Sequence, residues 1–232
     1  MLVHSPLTGC GVWGPVAAEL GRTGYETDVL DLTGVVEAVP FCGDGLIRAI
    51  AQSVSGRSTI LIGHSRAGPL LPAAGVMAGD GVRGCVFVDA RLPAPGHAWM
   101  ETVPSGFATR LRQMADREGW LPPWSQWWGE DELIGLIPDP AVRESFVASC
   151  PGVPLAMLEQ VYPPAARWRA GPAAYLQLSE AYQHEAATAR VLGWPVATVM
   201  SHHLALLTDP DRIAKALHDL IGQLPGWQPR DT

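Results

Sequence analysis

Residues 59–68 read Thr-Ile-Leu-Ile-Gly-His-Ser-Arg-Ala-Gly, an apolar run followed by a turn and the start of a helical pattern. A serine at the apex of such a strand-to-helix turn has a strained backbone, and small residues two positions on either side let strand and helix approach each other. Gly63 and Ala67 occupy these positions, and a second glycine follows at Gly68. The segment therefore predicts a nucleophile elbow in which Ser65 is the nucleophile.

Short β-branched runs alternate with helical patterns on both sides of this segment. The predicted strands are Leu2–His4, Thr27–Leu32, Thr59–Gly63, Cys85–Asp89, Ala174–Leu178 and Val196–Met200. The predicted helices are Val12–Arg22, Asp44–Val54, Arg66–Met77, Glu185–Leu192 and Pro210–Leu220, the last of them capped by Asp209. This alternation is typical of an α/β fold with a doubly wound, mostly parallel sheet of about six strands.

Residues 92–171 break the alternation, because they lack a convincing strand and hold six of the nine tryptophans: Trp99, Trp120, Trp124, Trp127, Trp128 and Trp168. A structureless loop of this length is implausible in a compact domain. We therefore expect a core of residues 1–91 and 172–232 and a helical lid of residues 92–171. Its predicted helices are Phe107–Arg117, Asp131–Leu136 and Ala141–Ser149.

The lid tryptophans have two interpretations. Aromatic rings that face a cleft give a large contact area at a low entropy cost. On this basis Trp124, Trp127 and Trp128 are candidate substrate-binding residues. The alternative is that the rings fill a small core within the lid itself.

The composition is that of a globular protein, with 232 residues of which 47% are apolar and 17% are charged. Sixteen scattered basic residues among 23 acidic ones leave a net charge of −7, which disfavours nucleic-acid and anionic-membrane partners. No apolar run reaches the roughly 18 residues of a membrane helix, and the first residues lack a signal-peptide pattern. We therefore expect a soluble, cytoplasmic protein. The four dispersed cysteines form no C-x-x-C pair, which favours reduced thiols and no metal site.

Two adjacent histidines follow the last predicted strand. His202 and His203 stand between this strand and the helix that Asp209 opens. A histidine in that loop lies at the carboxyl edge of the sheet, where ligands bind in open α/β sheets. We therefore expect one of the two to be a catalytic base.

The sequence resembles the α/β-hydrolase fold superfamily of lipases, esterases, thioesterases and haloalkane dehalogenases. The resemblance spans nearly the whole chain and rests on residues 2–5, 28–32, 59–68, 86–90 and 203–210, in the order nucleophile, acid, histidine. It implies that His203 is the base, because this residue directly precedes Leu-Ala-Leu-Leu, with His202 as the fallback. At the corresponding positions of the family, His4 and His64 are mostly structural.

Relatives usually begin with a strand hairpin, which we do not expect here because Met1 directly precedes the first predicted strand. The sheet should then have about six strands rather than eight, with its first strand closer to an exposed edge. An exposed edge favours pairing with a second copy of the chain or covering by the lid. A homodimer is therefore one expectation.

The acid of the triad has two candidates. Most relatives place an Asp after the strand that follows the lid, but residues 175–182 read Tyr-Leu-Gln-Leu-Ser-Glu-Ala-Tyr. Other relatives use a carboxylate at the end of the strand before the lid, which matches Asp89. We favour Asp89 and keep Glu180 as the alternative. Either acid would fix the imidazole tautomer and stabilise the imidazolium.

The resemblance also implies an oxyanion hole, to which the residue after the nucleophile, Arg66, gives its backbone N–H. For the second donor, relatives usually read His-Gly-x with x donating, whereas residues 4–7 read His-Ser-Pro-Leu and proline has no N–H. Leu7 or the Ser5 hydroxyl is the replacement. Loss of one donor lowers the rate by a factor of roughly 100 to 1000 in reference enzymes.

The Arg66 side chain points toward the pocket under the lid in such folds. It could bind a carboxylate or phosphate of the substrate. The alternative is an internal ion pair with Glu180 or with an acid of the lid.

The residues and the resemblance together predict a cofactor-free, metal-free serine hydrolase that cleaves an ester or thioester of a bulky apolar small molecule through an acyl-enzyme. The alternative keeps the fold but not hydrolysis: an enzyme of small-molecule biosynthesis that performs an elimination, epimerisation or cyclisation. Two departures from the family pattern motivate this alternative: proline at position 6, and the lack of an Asp after the strand that follows the lid. A non-catalytic ligand-binding protein is a third possibility.

Overall fold

A six-stranded, all-parallel sheet forms the centre of the computed structural model, which describes residues 1–38, 43–54, 56–94, 96–162 and 171–226. Its strands are β1 (Leu2–Val3), β2 (Val29–Leu30), β3 (Thr59–His64), β4 (Val82–Val88), β7 (Ala173–Gln177) and β8 (Val196–Thr198). A separate antiparallel pair is made by β5 (Trp120–Leu121) and β6 (Val153–Pro154). The order in the sheet is β2-β1-β3-β4-β7-β8. The predicted parallel sheet of six strands is confirmed.

Twelve α-helices lie in the described part of the chain. They are α1 (Gly14–Arg22), α2 (Thr33–Val36), α3 (Gly43–Ser53), α4 (Leu71–Ala78), α5 (Trp99–Thr102), α6 (Ser105–Met114), α7 (Glu130–Leu136), α8 (Pro140–Ser149), α9 (Leu155–Glu159), α10 (Gln183–Val191), α11 (Ala205–Thr208) and α12 (Pro210–Ile221). Among these residues, no helix has the length and apolar character needed to cross a membrane.

Both faces of the sheet are buried, because successive side chains of a strand point to opposite faces. Val3, Leu61, Phe87 and Tyr175 belong to one apolar cluster, to which α3, α4 and α10 contribute. The alternate strand residues belong to a second cluster, to which α1, α11 and α12 contribute. Helices therefore cover both faces, as a doubly wound sheet requires.

Residues 92–162, which we call the insertion, connect β4 to the segment before β7 and contain α5 to α9. They also contain the β5–β6 pair, which the sequence did not predict. The insertion supplies Met100, Leu111 and Trp127 to the first apolar cluster, and Leu133 and Phe146 to the second. Its apolar side chains therefore share the core of the sheet. Whether residues 92–171 act as a separate lid stays a prediction, and Trp168 lies outside the described residues.

Three local expectations need correction. The predicted helix at 66–77 begins instead as a 3-10 helix, Ser65–Leu70, before α4, because Pro69 lacks the N–H that an α-helix would use. The Asp209 side chain does not cap α12, since it accepts a hydrogen bond from Arg212 at 2.7 Å. The strand expected at 27–32 is reduced to β2, at the edge of the sheet. Pairing of this edge with a second copy stays a prediction.

Candidate active site

Ser65 directly follows β3 and opens the 3-10 helix, as a nucleophile elbow requires. Its φ angle is +57°, in the left-handed region that residues other than glycine rarely adopt. Gly63 lies against Leu71, where an added Cβ would come to 2.9 Å of the Leu71 side chain. At Gly68 an added Cβ would come to 2.3 Å of the Arg91 carbonyl oxygen. The two glycines thus let the elbow pack against neighbouring chain without a side chain between them.

Asp89 directly follows β4, the strand next to β3, and also has a positive φ angle, +39°. Its carboxylate is fully buried. Oδ1 accepts hydrogen bonds from the N–H groups of Leu178 and Ser179, at 2.9 and 3.0 Å, and Oδ2 accepts one from the Ser179 hydroxyl at 2.7 Å. The loop after β7 therefore holds Asp89 in one orientation.

His203 joins these two residues. Its Nδ1 lies 2.8 Å from Asp89 Oδ2, and its Nε2 lies 3.0 Å from Ser65 Oγ. Because a carboxylate only accepts, Nδ1 carries the proton and Nε2 accepts from the serine hydroxyl. This is the Ser-His-Asp arrangement in which a base receives the proton of a nucleophile. The predicted convergence of Ser65, His203 and Asp89 at one edge of the sheet is therefore present.

Burial and hydrogen bonding act on Asp89 in opposite directions. Burial alone would raise the pKa of the Asp89 carboxyl, but the hydrogen bond and charge of His203 and the bonds from Ser179 and Leu178 outweigh it. The pKa is held below its usual value. Asp89 is therefore ionised at neutral pH and able to stabilise an imidazolium at His203.

The two histidines to which no chemistry was given have structural contacts. His64 is fully buried, donates through Nε2 to the His203 carbonyl at 2.9 Å, and lies with its ring centre 4.4 Å from that of His203. Burial lowers the pKa of His64 to about 3. His4 accepts from the Leu32 N–H through Nε2 at 2.8 Å and donates through Nδ1 to the Ser5 carbonyl at 2.7 Å. His64 therefore orients the loop that carries His203.

Sequence reasoning missed two tyrosines. The Tyr182 ring stacks on His203 with centres 5.0 Å apart and planes 8° from parallel, and its hydroxyl is 3.5 Å from Ser65 Oγ. Tyr175 donates to the Ala90 carbonyl at 2.8 Å and accepts from the Ala90 N–H at 3.1 Å, next to Asp89. Burial raises the pKa of Tyr182 to about 12, so its phenol stays protonated at neutral pH. The sequence signal that could have identified Tyr182 is its place shortly after β7, the strand that follows the insertion.

The two fallback residues lie apart from the triad. Glu180 is exposed at the start of the 3-10 helix Glu180–Tyr182, while Asp89 occupies Nδ1 of His203. His202 turns away, and its Nε2 lies 3.0 Å from the Thr208 hydroxyl. The geometry therefore favours Asp89 and His203 over their alternatives.

The expected oxyanion donors are only partly in place. Arg66 lies in the first turn of the 3-10 helix, where a backbone N–H has no partner within the helix. Leu7 lines the cavity in front of Ser65, but its N–H donates to the Ser5 hydroxyl oxygen at 3.2 Å. Leu7 can serve a substrate oxyanion only if this contact is exchanged. Both donor roles stay predictions.

A cavity of about 430 Å³, which we call the catalytic cavity, lies in front of Ser65 and His203. Its wall includes the three predicted tryptophans, Trp124, Trp127 and Trp128, of which Trp127 is also part of the core. Further aromatic and apolar residues, which the sequence analysis did not assign to the site, line the same space: Trp99, Val103, Pro104, Phe107, Leu133 and Leu136. Among the described residues, no group of His, Cys, Asp or Glu could hold a metal ion.

The sequence matches the profile of the alpha/beta hydrolase family over residues 3–216. The chain belongs to this family. No curated protein matches the sequence.

Solved structures of alpha/beta hydrolases share the fold over nearly their whole length. One is an extracellular alpha/beta-hydrolase from a Paenibacillus species, described as homologous in structure and function to tobacco salicylic acid binding protein 2 (18% identity, 99% of this chain and 98% of that chain, TM-score 0.73). Another is a pyrethroid hydrolase from Sphingobium faniae (22% identity, 94% of each chain, TM-score 0.72). A third is a variant of tomato methylketone synthase I in complex with beta-ketoheptanoate (14% identity, 96% of each chain, TM-score 0.71).

Proposed function

We propose that the protein is a cofactor-free serine hydrolase that cleaves carboxylic esters or thioesters of bulky apolar small molecules. The observation that carries the proposal is the hydrogen-bonded chain from Ser65 through His203 to Asp89. Membership of the alpha/beta hydrolase family supports it. So do structures of the same fold named as a pyrethroid hydrolase and a methylesterase.

The first half-reaction forms an acyl-enzyme. Ser65 Oγ attacks the carbonyl carbon of the ester while its proton moves to His203 Nε2. The oxygen of the resulting tetrahedral intermediate is held by the Arg66 N–H and by a second donor, for which Leu7 is the candidate. His203 then gives its proton to the leaving alcohol or thiol, and the bond between the carbonyl carbon and the leaving atom breaks.

The second half-reaction restores the enzyme. Water gives a proton to His203 Nε2 and attacks the acyl carbon. The bond to Ser65 Oγ breaks, and the serine takes the proton back as the carboxylic acid leaves. Asp89 remains ionised throughout and stabilises each imidazolium.

The apolar wall of the catalytic cavity supports the choice of substrate. About 430 Å³ lined by tryptophan, phenylalanine and leucine side chains suits a small apolar or aromatic molecule. The fit of such a molecule excludes water and strengthens the hydrogen bonds of the triad.

The test is hydrolysis of p-nitrophenyl esters of increasing acyl size by the wild type and by Ser65→Ala. We expect release of p-nitrophenolate by the wild type and a loss of about 10³-fold or more in kcat for Ser65→Ala. Full turnover in Ser65→Ala would contradict the proposal. Circular dichroism of both proteins controls for folding.

A second function has one specific observation in its favour. Proline at position 6 and the bond from Leu7 N–H to Ser5 leave the second oxyanion donor engaged. An enzyme that uses His203 for elimination, epimerisation or cyclisation needs no acyl-enzyme, and a methylketone synthase is among the structures with the same fold. Absence of any Ser65-dependent ester hydrolysis, together with a folded protein, would favour this alternative.

A further inference from the structure

A second cavity, which we call the polar cavity, adjoins the catalytic cavity. It has a volume of about 540 Å³, and its wall contains the polar side chains of Thr102, Gln160, Tyr162, His184, Glu185 and Thr188. Three residues line both cavities: Arg66, Arg91 and Trp99. The apolar space at Ser65 is thus bordered by a more polar space, whose wall also includes Pro69, Leu92 and Pro93, and two arginines stand at the border.

Arg66 is buried at this border with only 6% of its surface exposed. Nη2 donates to the Met157 carbonyl at 3.4 Å, the guanidinium interacts with the Tyr162 hydroxyl, and its central carbon lies 4.7 Å from the centre of the Trp99 ring. Nε is buried and has no hydrogen-bond partner among the described residues. All of these contacts are made with neutral groups.

No carboxylate among the described residues forms an ion pair with Arg66, and residues 163–170, which follow Tyr162, contain no Asp or Glu. The expected pair with Glu180 or with an acid of the insertion is therefore not formed within the described part of the chain. Burial lowers the pKa of Arg66, yet an arginine remains charged in proteins. A buried charge without a counter-ion is unfavourable.

The neighbouring Arg91 behaves differently. It is paired with Glu185, whose side chain is only 7% exposed, so this charge is neutralised within the protein. Glu132, the acid on the wall of the catalytic cavity, is exposed. Among the described residues at the border, the positive charge without a counter-ion is therefore that of Arg66.

We propose that Arg66 is the counter-ion of a carboxylate on the substrate, bound where the catalytic and polar cavities meet. A guanidinium that has no counter-ion among the described residues matches a singly charged carboxylate, which accepts two parallel hydrogen bonds from it. The apolar remainder of the substrate occupies the tryptophan-lined space in front of Ser65. This inference rests on the proposed ester hydrolysis and narrows its substrate to an apolar molecule with a free acid group.

A purely structural role makes a different prediction. Arg66 also ties the elbow to α9 through Met157, a contact that Arg66→Met loses in either case. If anchoring is its only role, neutral and acidic substrates are affected alike. If it binds the substrate acid, only the acidic substrate is affected strongly.

The experiment compares two pairs of esters that differ only in a carboxylate and a primary amide. The first pair is mono-p-nitrophenyl glutarate and its amide, with the charge on the acyl side, and the second is 4-acetoxybenzoate and 4-acetoxybenzamide, with the charge on the leaving group. We expect kcat/KM of the wild type to favour the carboxylate by about 10- to 100-fold in at least one pair. In Arg66→Met this preference falls to about 1, while Arg66→Lys keeps part of it.

Arg112→Met is the matched control, because it removes an arginine of the insertion that pairs with Glu159 at the surface, outside both cavities. It should leave the preference unchanged. A wild type that shows no preference in either pair would overturn the inference without any variant, as would a preference that survives in folded Arg66→Met. In that case, Ser65-dependent hydrolysis of the ester bond in the uncharged amide compounds would still support the proposed function.

If no ester is hydrolysed, the proposed function fails, and binding still tests Arg66. Quenching of tryptophan fluorescence measures the dissociation constants of 4-hydroxybenzoate and 4-hydroxybenzamide in Ser65→Ala. We expect tighter binding of the benzoate by about 10-fold or more. Equal affinities would overturn the inference.

Discussion

The sheet and the insertion contribute different parts of the same site. Ser65, Asp89 and His203 all lie at the carboxyl edge of the sheet, where the loop after β7 holds Asp89 and His64 binds the His203 carbonyl. Most of the catalytic cavity wall in front of them comes from the insertion. Substitutions at this edge of the sheet should therefore lower the turnover of every substrate. Substitutions in the insertion should change the turnover of some substrates and not of others.

The largest expected effect is on kcat and concerns the triad residues at the edge of the sheet. Asp89→Asn keeps the shape of the acid but removes the charge that fixes the His203 tautomer, and we expect kcat to fall by about 10³- to 10⁴-fold for all esters. Glu180→Gln is the matched control and should change kcat by less than about 2-fold, because Glu180 is exposed and outside the triad. Steady-state kinetics at pH 7 measures both. The reverse order of effects would assign the acid to Glu180.

An intermediate effect tests the insertion side. Trp128 is 37% exposed, lines the catalytic cavity and stacks on Phe107 with centres 5.7 Å apart. We expect Trp128→Ala to raise KM for esters with a bulky aryl acyl group by about 5- to 20-fold and to leave p-nitrophenyl acetate almost unchanged, since a small acyl group buries little apolar surface against the ring.

Trp120→Ala is the control for this change. Trp120 belongs to the same insertion but lines neither the catalytic nor the polar cavity. Its loss should therefore shift the melting temperature without a selective change in KM. If Trp128→Ala instead lowers kcat equally for every ester, the proposed division between sheet and insertion is wrong.

The last effect is on stability rather than on the reaction, and concerns the free energy of unfolding as a function of pH. The pKa of His64 falls from 6.5 in the unfolded chain to about 3 in the folded protein because of burial. Between these values the unfolded state binds more protons, so the free energy of unfolding decreases as pH falls from 6.5 toward 3, by up to about 1.4 kcal/mol per pH unit. Above pH 6.5 this contribution is fully present.

Denaturant unfolding of the wild type and His64→Gln between pH 4 and 7 measures this effect. The variant should lose part of the acid dependence, whereas His184→Gln, a change at an exposed histidine, should retain it. The burial of His4 also lowers its pKa and adds to the same dependence in all three proteins. Equal slopes for the wild type and His64→Gln would show that His64 is not the buried neutral group described.

The positions of the triad residues could be predicted from local sequence together with the resemblance to the α/β-hydrolase fold superfamily, which selected Asp89 over Glu180 and His203 over His202. Gly63 and Gly68 mark the close approach at the elbow, Asp89 ends an apolar run, and His203 follows the last one. Parallel strands bring such ends to a single edge. The six strands followed from the same alternation of apolar runs and helices.

Other features depend on contacts that no local pattern specifies. The stacking of Tyr182 on His203 and the hydrogen bond from His64 to the His203 carbonyl join segments more than 20 residues and more than 100 residues apart in the sequence, respectively. The sequence also could not predict that Arg66 has no counter-ion among the described residues, because this depends on which carboxylates the fold of the insertion brings close. The failed cap at Asp209 has a local cause instead, because Arg212, three residues later, binds the carboxylate.

The most direct test of the account is covalent labelling of the active serine with a fluorophosphonate, measured by intact mass and peptide mapping. An activated hydroxyl forms a phosphorus–oxygen bond as fluoride leaves, with His203 accepting the proton. We predict stoichiometric labelling of the wild type at Ser65, none in Ser65→Ala, and slow labelling in His203→Ala. An unlabelled, folded wild type, or a label that persists in Ser65→Ala, would contradict the assignment of Ser65 as the nucleophile.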